Sequence, residues 1–274
     1  MECILACRCM NILADKSSRQ TFRKVWLARF ASRRIALCLY RSAMYSAGPV
    51  SYHFNTADGH RVFGNENMYF LRDYFAFDEN TVLLDAGAFT GDSIREYIQY
   101  AKDFKAAYCI EPLPENFIEL EGATDRFELK EKIRLFPFAL SSRNASLRFH
   151  PDGSASRFSE TGDIFVQSVN ALEFLQGLSP KPTFIKMDIE GSEMEVLRTI
   201  EPWLREEKPD LAVSIYHETA HLYRIPLLIN HIVPEYRIFI RHNSNDFTET
   251  VCYATIHKKP FMQDESYTDW ARDG

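Results

Sequence analysis

Leu83-Leu84-Asp85-Ala86-Gly87-Ala88-Phe89-Thr90-Gly91-Asp92-Ser93 is the stretch whose reading decides the fold. The apolar run Thr81-Val82-Leu83-Leu84 reads as a buried strand, and beyond the two glycines Ile94, Tyr97, Ile98 and Ala101 recur at helical spacing as far as Lys102. Strand, glycine turn, helix is the geometry of a ligand crevice at the carboxyl edge of a parallel sheet. A side chain at Gly87 or Gly91 would hold a ligand away from the backbone. Asp85, ending the strand, can accept hydrogen bonds from a ligand amine or brace the turn. The bland alternative is a tight turn into a surface helix.

The glycine spacing narrows the choice. A dinucleotide fingerprint is G-x-G-x-x-G, whereas this chain has D-x-G-x-x-x-G with Phe89 at the place of the second glycine. No G-K-[ST] follows, so a phosphate-cradling P-loop is excluded.

Downstream, Ala106-Ala107-Tyr108-Cys109-Ile110-Glu111-Pro112 reads as a second parallel strand ending in an acid 26 positions after Asp85. An acid there is placed to accept from a ribose diol. Pro114 opens a helix through Leu120, and Ile133 to Leu140 reads as a third strand. Ser146–His150 and Phe165–Val169 read as extra strands around a polar loop. Asn170 with Glu173 has the spacing of a helix capping box, as does Ser192 with Glu195. Thr183 to Glu193 is the second informative stretch. Lys186 and Asp188, two apart on an apolar strand, share a face, and charges so placed are costly to bury without a partner or a task. The fifth strand, Asp210 to His217, puts His217 at the same edge as Asp85, Glu111 and Asp188. Pro226 and Pro234 bracket a short helix, and Arg237–His242 with Thr250–Ile256 form a terminal antiparallel pair.

Composition bounds the class. With 274 residues, 46% hydrophobic and 26% charged, the chain suits one sizeable domain plus an extension. Residues 1–50 hold nine Lys/Arg against Glu2 and Asp15, a net +7, which leaves −13 for the rest of a chain whose total is −6. So acidic a body argues against nucleic acid as partner. No apolar window is long enough for a transmembrane helix, and no secretory pattern opens the chain. The six cysteines lack metal-site spacing and fit a reduced, cytoplasmic protein.

Three regions follow: a basic helical extension (1–48), a main domain (49–257) and a polar tail (258–274). In the extension Phe22, Val25, Trp26, Phe30 and Leu37 form a ragged apolar stripe beside arginines. It packs on the domain or on a second copy, leaving room for a homodimer, or alternatively touches a membrane surface. Thr56-Ala57-Asp58-Gly59-His60 reads as a hairpin turn, and the aromatic segment Asn65–Phe77 is expected to cover the crevice.

The acidic strand end and wide glycine spacing resemble motif I of class I S-adenosylmethionine methyltransferases. Four further blocks extend the likeness: Ile110-Glu111-Pro112, Ala139-Leu140-Ser141, Lys186-Met187-Asp188-Ile189-Glu190-Gly191-Ser192-Glu193 and Thr248-Glu249-Thr250-Val251-Cys252-Tyr253-Ala254. With them the chain resembles the FkbM-type methyltransferases over roughly residues 50–257. K-x-D-x-E-G-x-E is the most specific block. The family more often shows Asn-x-Gly where Phe89-Thr90 precede Gly91 here.

The resemblance implies an α/β fold with a Rossmann-like, doubly wound seven-stranded sheet and a reversed last strand. It implies S-adenosylmethionine held by Asp85, Gly87, Ala88, Phe89, Gly91, Asp92, Ser93, Glu111 and Pro112, with Ala139 and Leu140 flanking the adenine. It implies O-methylation of a hydroxyl on a sugar, polysaccharide or natural product. A hydroxyl benefits from a base: Asp188 ranks first and His217 second, with Glu190 as orienter or second base and Lys186 tuning their pKa values by its charge. Asp188, Glu190 and His217 could ligate a divalent metal, but nothing in the spacing demands one. The competing readings are a non-catalytic docking module in a glycan-synthesis complex, and an N- or protein methyltransferase. The N/D-P-P-[FY] block of many amine methyltransferases is missing.

Overall fold

Every residue of the strands Val82–Ala86, Ala106–Ile110, Phe184–Met187 and Asp210–Ser214 is buried. Strands covered on both faces are continuous apolar runs, which is why these four stand out in the sequence. They come from a computed structural model that describes residues 2–45, 54–55, 61–62, 68–101, 103–150, 157–158 and 164–257. Three helices come first, α1 (Glu2–Ile12), α2 (Lys16–Ala28) and α3 (Arg33–Tyr45). A short antiparallel pair follows, β1 (Phe54–Asn55) with β2 (Arg61–Val62); the expected turn between them lies outside the described residues. Next are β3 (Val82–Ala86), α4 (Asp92–Ala101), β4 (Ala106–Ile110), α5 (Pro114–Thr124), β5 (Ile133–Phe136) and β6 (Ala139–Ser141). Then come β7 (Ala145–His150), β8 (Arg157–Phe158), β9 (Ile164–Asn170), α6 (Ala171–Gly177), β10 (Phe184–Met187) and α7 (Glu193–Thr199). The remaining elements are α8 (Glu201–Glu207), β11 (Asp210–Ser214), α9 (His221–Ile232), β12 (Arg237–His242) and β13 (Thr250–Thr255).

Seven strands form one sheet in the order β12-β13-β11-β10-β3-β4-β5. β13 runs antiparallel to its neighbours β11 and β12, while β3, β4, β5, β10 and β11 are mutually parallel. This is the Rossmann-like sheet with a reversed last strand. Between β3 and β10 the connections turn to opposite sides, the switch point where open α/β sheets bind ligands. A separate sheet, β6-β9-β7-β8, holds the extra strands. Ile133–Leu140 is thus two strands in two sheets rather than one. Pro137 stands between them and has no N–H to continue a ladder.

Alternation along each strand sends its side chains to two cores. Val82, Leu84 and Ala86 join α6 to α9 and the N-terminal helices, whereas Leu83, Ala107, Cys109 and Phe184 face α4 and the segment 68–77. Residues 68–77 of the aromatic segment form a structural layer rather than the expected cover of the crevice; residues 65–67 lie outside the described residues. Tyr74 stacks on Phe239 of β12 at 4.2 Å, and Phe75 meets Phe184 edge-on at 4.9 Å. It occupies the part of that face that α4 and α5 leave bare, and only its Tyr69 hydroxyl reaches the functional edge.

The N-terminal helices cover β12, which would otherwise be an open edge. Leu13 bridges Ile238, Ala14 N–H donates to the Ile238 carbonyl at 2.8 Å, and Ile240 N–H donates to Ser18 Oγ at 3.0 Å. Asp15 caps α2 by accepting from Ser18 N–H and pairs with Arg241 at 2.7 Å. From the apolar stripe, Phe22 and Val25 are buried, whereas Phe30 and Leu37 stay exposed.

Pro226 lies inside α9, not at its boundary. The missing N–H leaves the Leu222 carbonyl without its helical partner, and Cys9 Sγ lies 4.0 Å from it. Burial of Leu222, Tyr223, Ile225, Ile229 and Ile232 offsets the interruption. No helix among the described residues is long and apolar enough to cross a membrane.

Candidate active site

The carboxyl ends of β3, β4, β10 and β11 converge on one edge, and most of the residues singled out in the sequence come together there. The β3–α4 turn is built by Gly87 and Gly91, at φ of +81° and +89°. Gly87 and Ala88 N–H groups donate to the Ile110 carbonyl at 3.0 and 2.9 Å, and Asp188 N–H donates to the Ala86 carbonyl at 3.0 Å. The turn is therefore held from β4 on one side and from β10 on the other.

Asp85 braces the turn from below. It is fully buried, accepts a short hydrogen bond from the Ser93 hydroxyl, and pairs with Lys186 at 3.0 Å. Lys186 Nζ also donates to the Gly87 carbonyl at 2.5 Å and lies 5.1 Å from the centre of the Tyr69 ring. Burial opposes its charge, but the Asp85 and Asp188 carboxylates outweigh that and push its pKa up. Lys186 is thus tied to Asp85 on the neighbouring strand and to the glycine turn, rather than to the strand end alone.

Glu111 follows β4 and reaches back to the same turn. Its Oε2 accepts Phe89 N–H at 3.0 Å, while Oε1 accepts Leu113 N–H at 2.9 Å and Asn116 Nδ2 at 3.3 Å. Burial raises its pKa, against the lowering effect of those donors. Pro112 follows it, and Asp92 and Ser93 open α4. Ala139 and Leu140 lie on β6, paired with Ser168 and Val169 of β9, and so belong to the second sheet.

Asp188 is the centre of the other half. Tyr69 donates to its Oδ2 at 2.8 Å, and Tyr216 donates to Oδ1 at 3.3 Å. His217 Nε2 stands 3.3 Å from Asp188 Oδ1 and 3.4 Å from Glu190 Oε2. On its other side His217 Nδ1 is 3.0 Å from Glu193 Oε1, and Glu193 Oε2 is 3.4 Å from His221 Nδ1. Burial lowers the His217 pKa, but Glu193, Asp188 and Glu190 together lift it to about 9. Burial alone would raise the Glu193 pKa, yet the two histidines hold it at about 2. The ring is an imidazolium at neutral pH, held between carboxylates.

Glu193 does more than face histidines. Its Oε1 accepts Ile189 N–H at 3.0 Å and Gly191 N–H at 3.4 Å, shaping the loop that carries Asp188 and Glu190. Ser192 makes no side-chain cap, and Glu195 instead accepts from Ser142, so the expected Ser192–Glu195 box is not formed. Glu249, just before β13, has its carboxyl pKa raised by burial and by Asp188. Phe89, Glu190 and Glu249 are non-glycine residues with φ of 48°, 55° and 58°. Left-handed backbone of this kind gathers at functional edges and persists only where its surroundings enforce it.

The sequence assigns no site role to Tyr69, Tyr216, Glu193 or Glu249. Tyr69 carries no local signal, lying 119 positions from Asp188. Tyr216 directly precedes His217, and Glu193 closes the block that holds Asp188 and Glu190. Asp188, Glu193 and His217 offer ligand atoms within 4.8 Å of one another, a set that could hold a cation. The edge as a whole suits a nucleoside with a diol and a positive group. A carboxylate ends β4, and the Asp188 and Glu190 carboxylates face the single His217 charge. A Cβ at Gly87 would meet the Asp188 carbonyl and one at Gly91 would meet Leu120 and Ala123 of α5, so these glycines serve close packing within the protein rather than the expected approach of a ligand.

Residues 85–243 match the sequence profile described as the methyltransferase FkbM domain, more than half of the chain. Hexuronic acid methyltransferase AglP of Haloferax volcanii is 27% identical over 126 residues, 44% of this chain and 50% of the relative. This chain thus spans about half the length of that curated relative. The crystal structure of methyltransferase FkbM from Methylobacillus flagellatus KT superposes with a TM-score of 0.70 at 24% identity, over 92% of this chain and 58% of that one, a likeness of fold. The chain belongs to the FkbM methyltransferase family.

Proposed function

We propose that this chain is an S-adenosylmethionine-dependent methyltransferase acting on an oxygen of a sugar or polysaccharide. The observation that carries the reading is the contact between the Gly87 turn and Asp188, on whose carboxylate Tyr69, Tyr216 and His217 converge. The cofactor supplies a methyl group on a sulfonium, open to in-line attack by a nucleophile. Glu111 accepts from the ribose diol, and Phe89, 41% exposed, offers an apolar face. Gly87 and Gly91 let the loop pack against the Asp188 carbonyl and against α5. Asp85 and Lys186 hold the turn in place, and Ala139 and Leu140 are proposed to flank the adenine.

Asp188 takes the acceptor proton. The raised pKa of His217 argues against the imidazole as base at neutral pH, because its basic nitrogen is already protonated. The imidazolium instead offsets the charge of Asp188 and Glu190, and Glu193 fixes its orientation. The sugar acceptor rests on the family and on the hexuronic acid methyltransferase among the relatives.

Calorimetric titration with S-adenosylmethionine and S-adenosylhomocysteine tests the cofactor, and a panel of sugar and polysaccharide acceptors tests the transfer. The expected result is binding by the wild type that is lost in Glu111→Ala. A folded wild type that binds neither ligand would leave the chain as a docking module.

A further inference from the structure

Three large apolar side chains are exposed at the turn between α2 and α3: Leu27 at 57%, Phe30 at 68% and Ile35 at 57%; the exposed Leu37 lies two positions beyond Ile35 and so on another face of α3. Phe30 N–H closes the turn on the Leu27 carbonyl at 3.2 Å. Trp26 supports Phe30 from behind, edge-on to it at 5.3 Å and to Tyr223 at 5.6 Å. Phe30 therefore stands on a packed base. Scattered exposed apolar residues need no explanation, but several at one turn do.

The charge around this turn has one sign. From Lys16 to Tyr45 the sequence has eight Lys/Arg and no Asp or Glu, and Arg23, Arg34 and Arg41 are exposed. The chain beyond residue 50 carries −13. An anionic surface would repel that body and attract this end, so the charge distribution itself orients the molecule. Exposed apolar side chains with exposed arginines on the same two helices match the boundary between headgroups and acyl chains, where the rings and aliphatics enter and the guanidiniums stay with phosphates. A second copy of the chain is the weaker occupant, because three side chains at one turn fall short of the roughly 800 Å² per partner that stable dimers bury.

We infer that the α2–α3 turn docks this protein on an anionic membrane surface. The turn also lies on the functional side of the molecule: Arg29 Nη1 is 3.5 Å from the carbonyl of Glu218, the residue after His217. Docking would bring the carboxyl edge of the sheet close to the membrane. The docking itself does not depend on the methyl-transfer reading.

The test is flotation of the full chain with phosphatidylcholine vesicles, with and without one third phosphatidylglycerol, at low and high salt. Expected is partition at least about tenfold stronger on the anionic vesicles, weakened by salt. The triple variant Leu27→Ser, Phe30→Ser, Ile35→Ser and the separate pair Arg23→Glu, Arg34→Glu should each lower it about tenfold. Circular dichroism and thermal melting check that both stay folded, and the charge pair decides the matter should the triple variant unfold. Equal partition on both vesicle types, or variants that float like the wild type, would overturn the inference. So would a wild-type dimer in sedimentation that the variants convert to monomer without any vesicle binding, since the turn would then join two copies.

Discussion

The carbonyl oxygen of Asp188 occupies the space a side chain at Gly87 would need: a Cβ there would lie 1.8 Å from it. The glycine turn and the loop bearing the proposed base are therefore in backbone contact, and neither can shift alone. Gly87→Ala meets both the clash and a φ of +81°. The expected cost is about 2–4 kcal/mol in urea unfolding, from left-handed strain plus overpacking, with loss of S-adenosylmethionine binding by calorimetry. A variant with wild-type stability would mean that the contact is not as drawn.

The Lys186–Asp85 pair is the second rigid link, with side chains 3% and 0% exposed. Removing one member leaves a buried charge alone, so Lys186→Met should destabilise the chain by about 3–5 kcal/mol. Removing both, as Lys186→Met with Asp85→Asn, should cost clearly less than the two single changes summed. A double-mutant cycle in urea measures the coupling, and additive effects would deny the pair.

These two links show what the sequence can and cannot disclose. β3, β4, β10 and β11 were legible because burial on both faces leaves unbroken apolar runs with acids or a histidine at their ends. Asp85, Glu111, Asp188 and His217 fell on one edge once those strands were read as parallel. Glu193 was hidden by position, since an acid beside Ser192 at the start of a helix looks like part of a cap. Tyr69 was out of reach, because an aromatic-rich segment gives no sign of which ring sits beneath the sheet and which hydroxyl reaches Asp188. The break at Pro137 was visible but outweighed by the apolar residues around it. Pro226 looks like a helix boundary in the sequence, but tertiary burial of α9 overrides its cost.

His217 gives stability a pH dependence of known sign. Its folded pKa of about 9 stands above the ordinary 6.5, so the contribution is complete below about pH 6.5 and is lost as pH rises through about 9. The shift corresponds to about 3 kcal/mol, an upper figure for a group that is 5% exposed. Wild type should therefore weaken between pH 6.5 and 9, and His217→Gln should weaken less over that window, its remaining slope coming from Glu249, whose carboxyl pKa is pushed up to about 8 by burial and by Asp188. Glu193→Gln should bring the imidazole pKa back toward 6.5, read by NMR titration of the ring protons. An unchanged pKa in that variant would remove Glu193 as the group that holds the ring.

Phe89 holds a φ of 48°, and its ring is 41% exposed. Asn tolerates the left-handed region better than an aromatic residue, and so exposed a ring contributes little packing. Phe89→Asn should raise stability by about 1 kcal/mol in urea unfolding. The same change should weaken S-adenosylmethionine binding if the ring covers the cofactor, so stability and affinity are expected to move in opposite directions. Lower stability would show that the ring makes contacts worth more than the strain.

Asp188 separates binding from chemistry. It lies across the Gly87 turn from Glu111, and its carboxylate is held by the hydroxyls of Tyr69 at 2.8 Å and Tyr216 at 3.3 Å. Asp188→Asn keeps the shape and removes the proton acceptor. Turnover should fall by about 10²–10⁴-fold while the affinity for S-adenosylhomocysteine stays within a few-fold of wild type. Tyr69→Phe leaves the carboxylate but frees it to turn, so a smaller loss is expected, in kcat more than in KM. Should Asp188→Asn keep full turnover while His217→Gln abolishes it, the proton passes through the imidazole, and the pH profile would then show activity rising with an apparent pKa near 9.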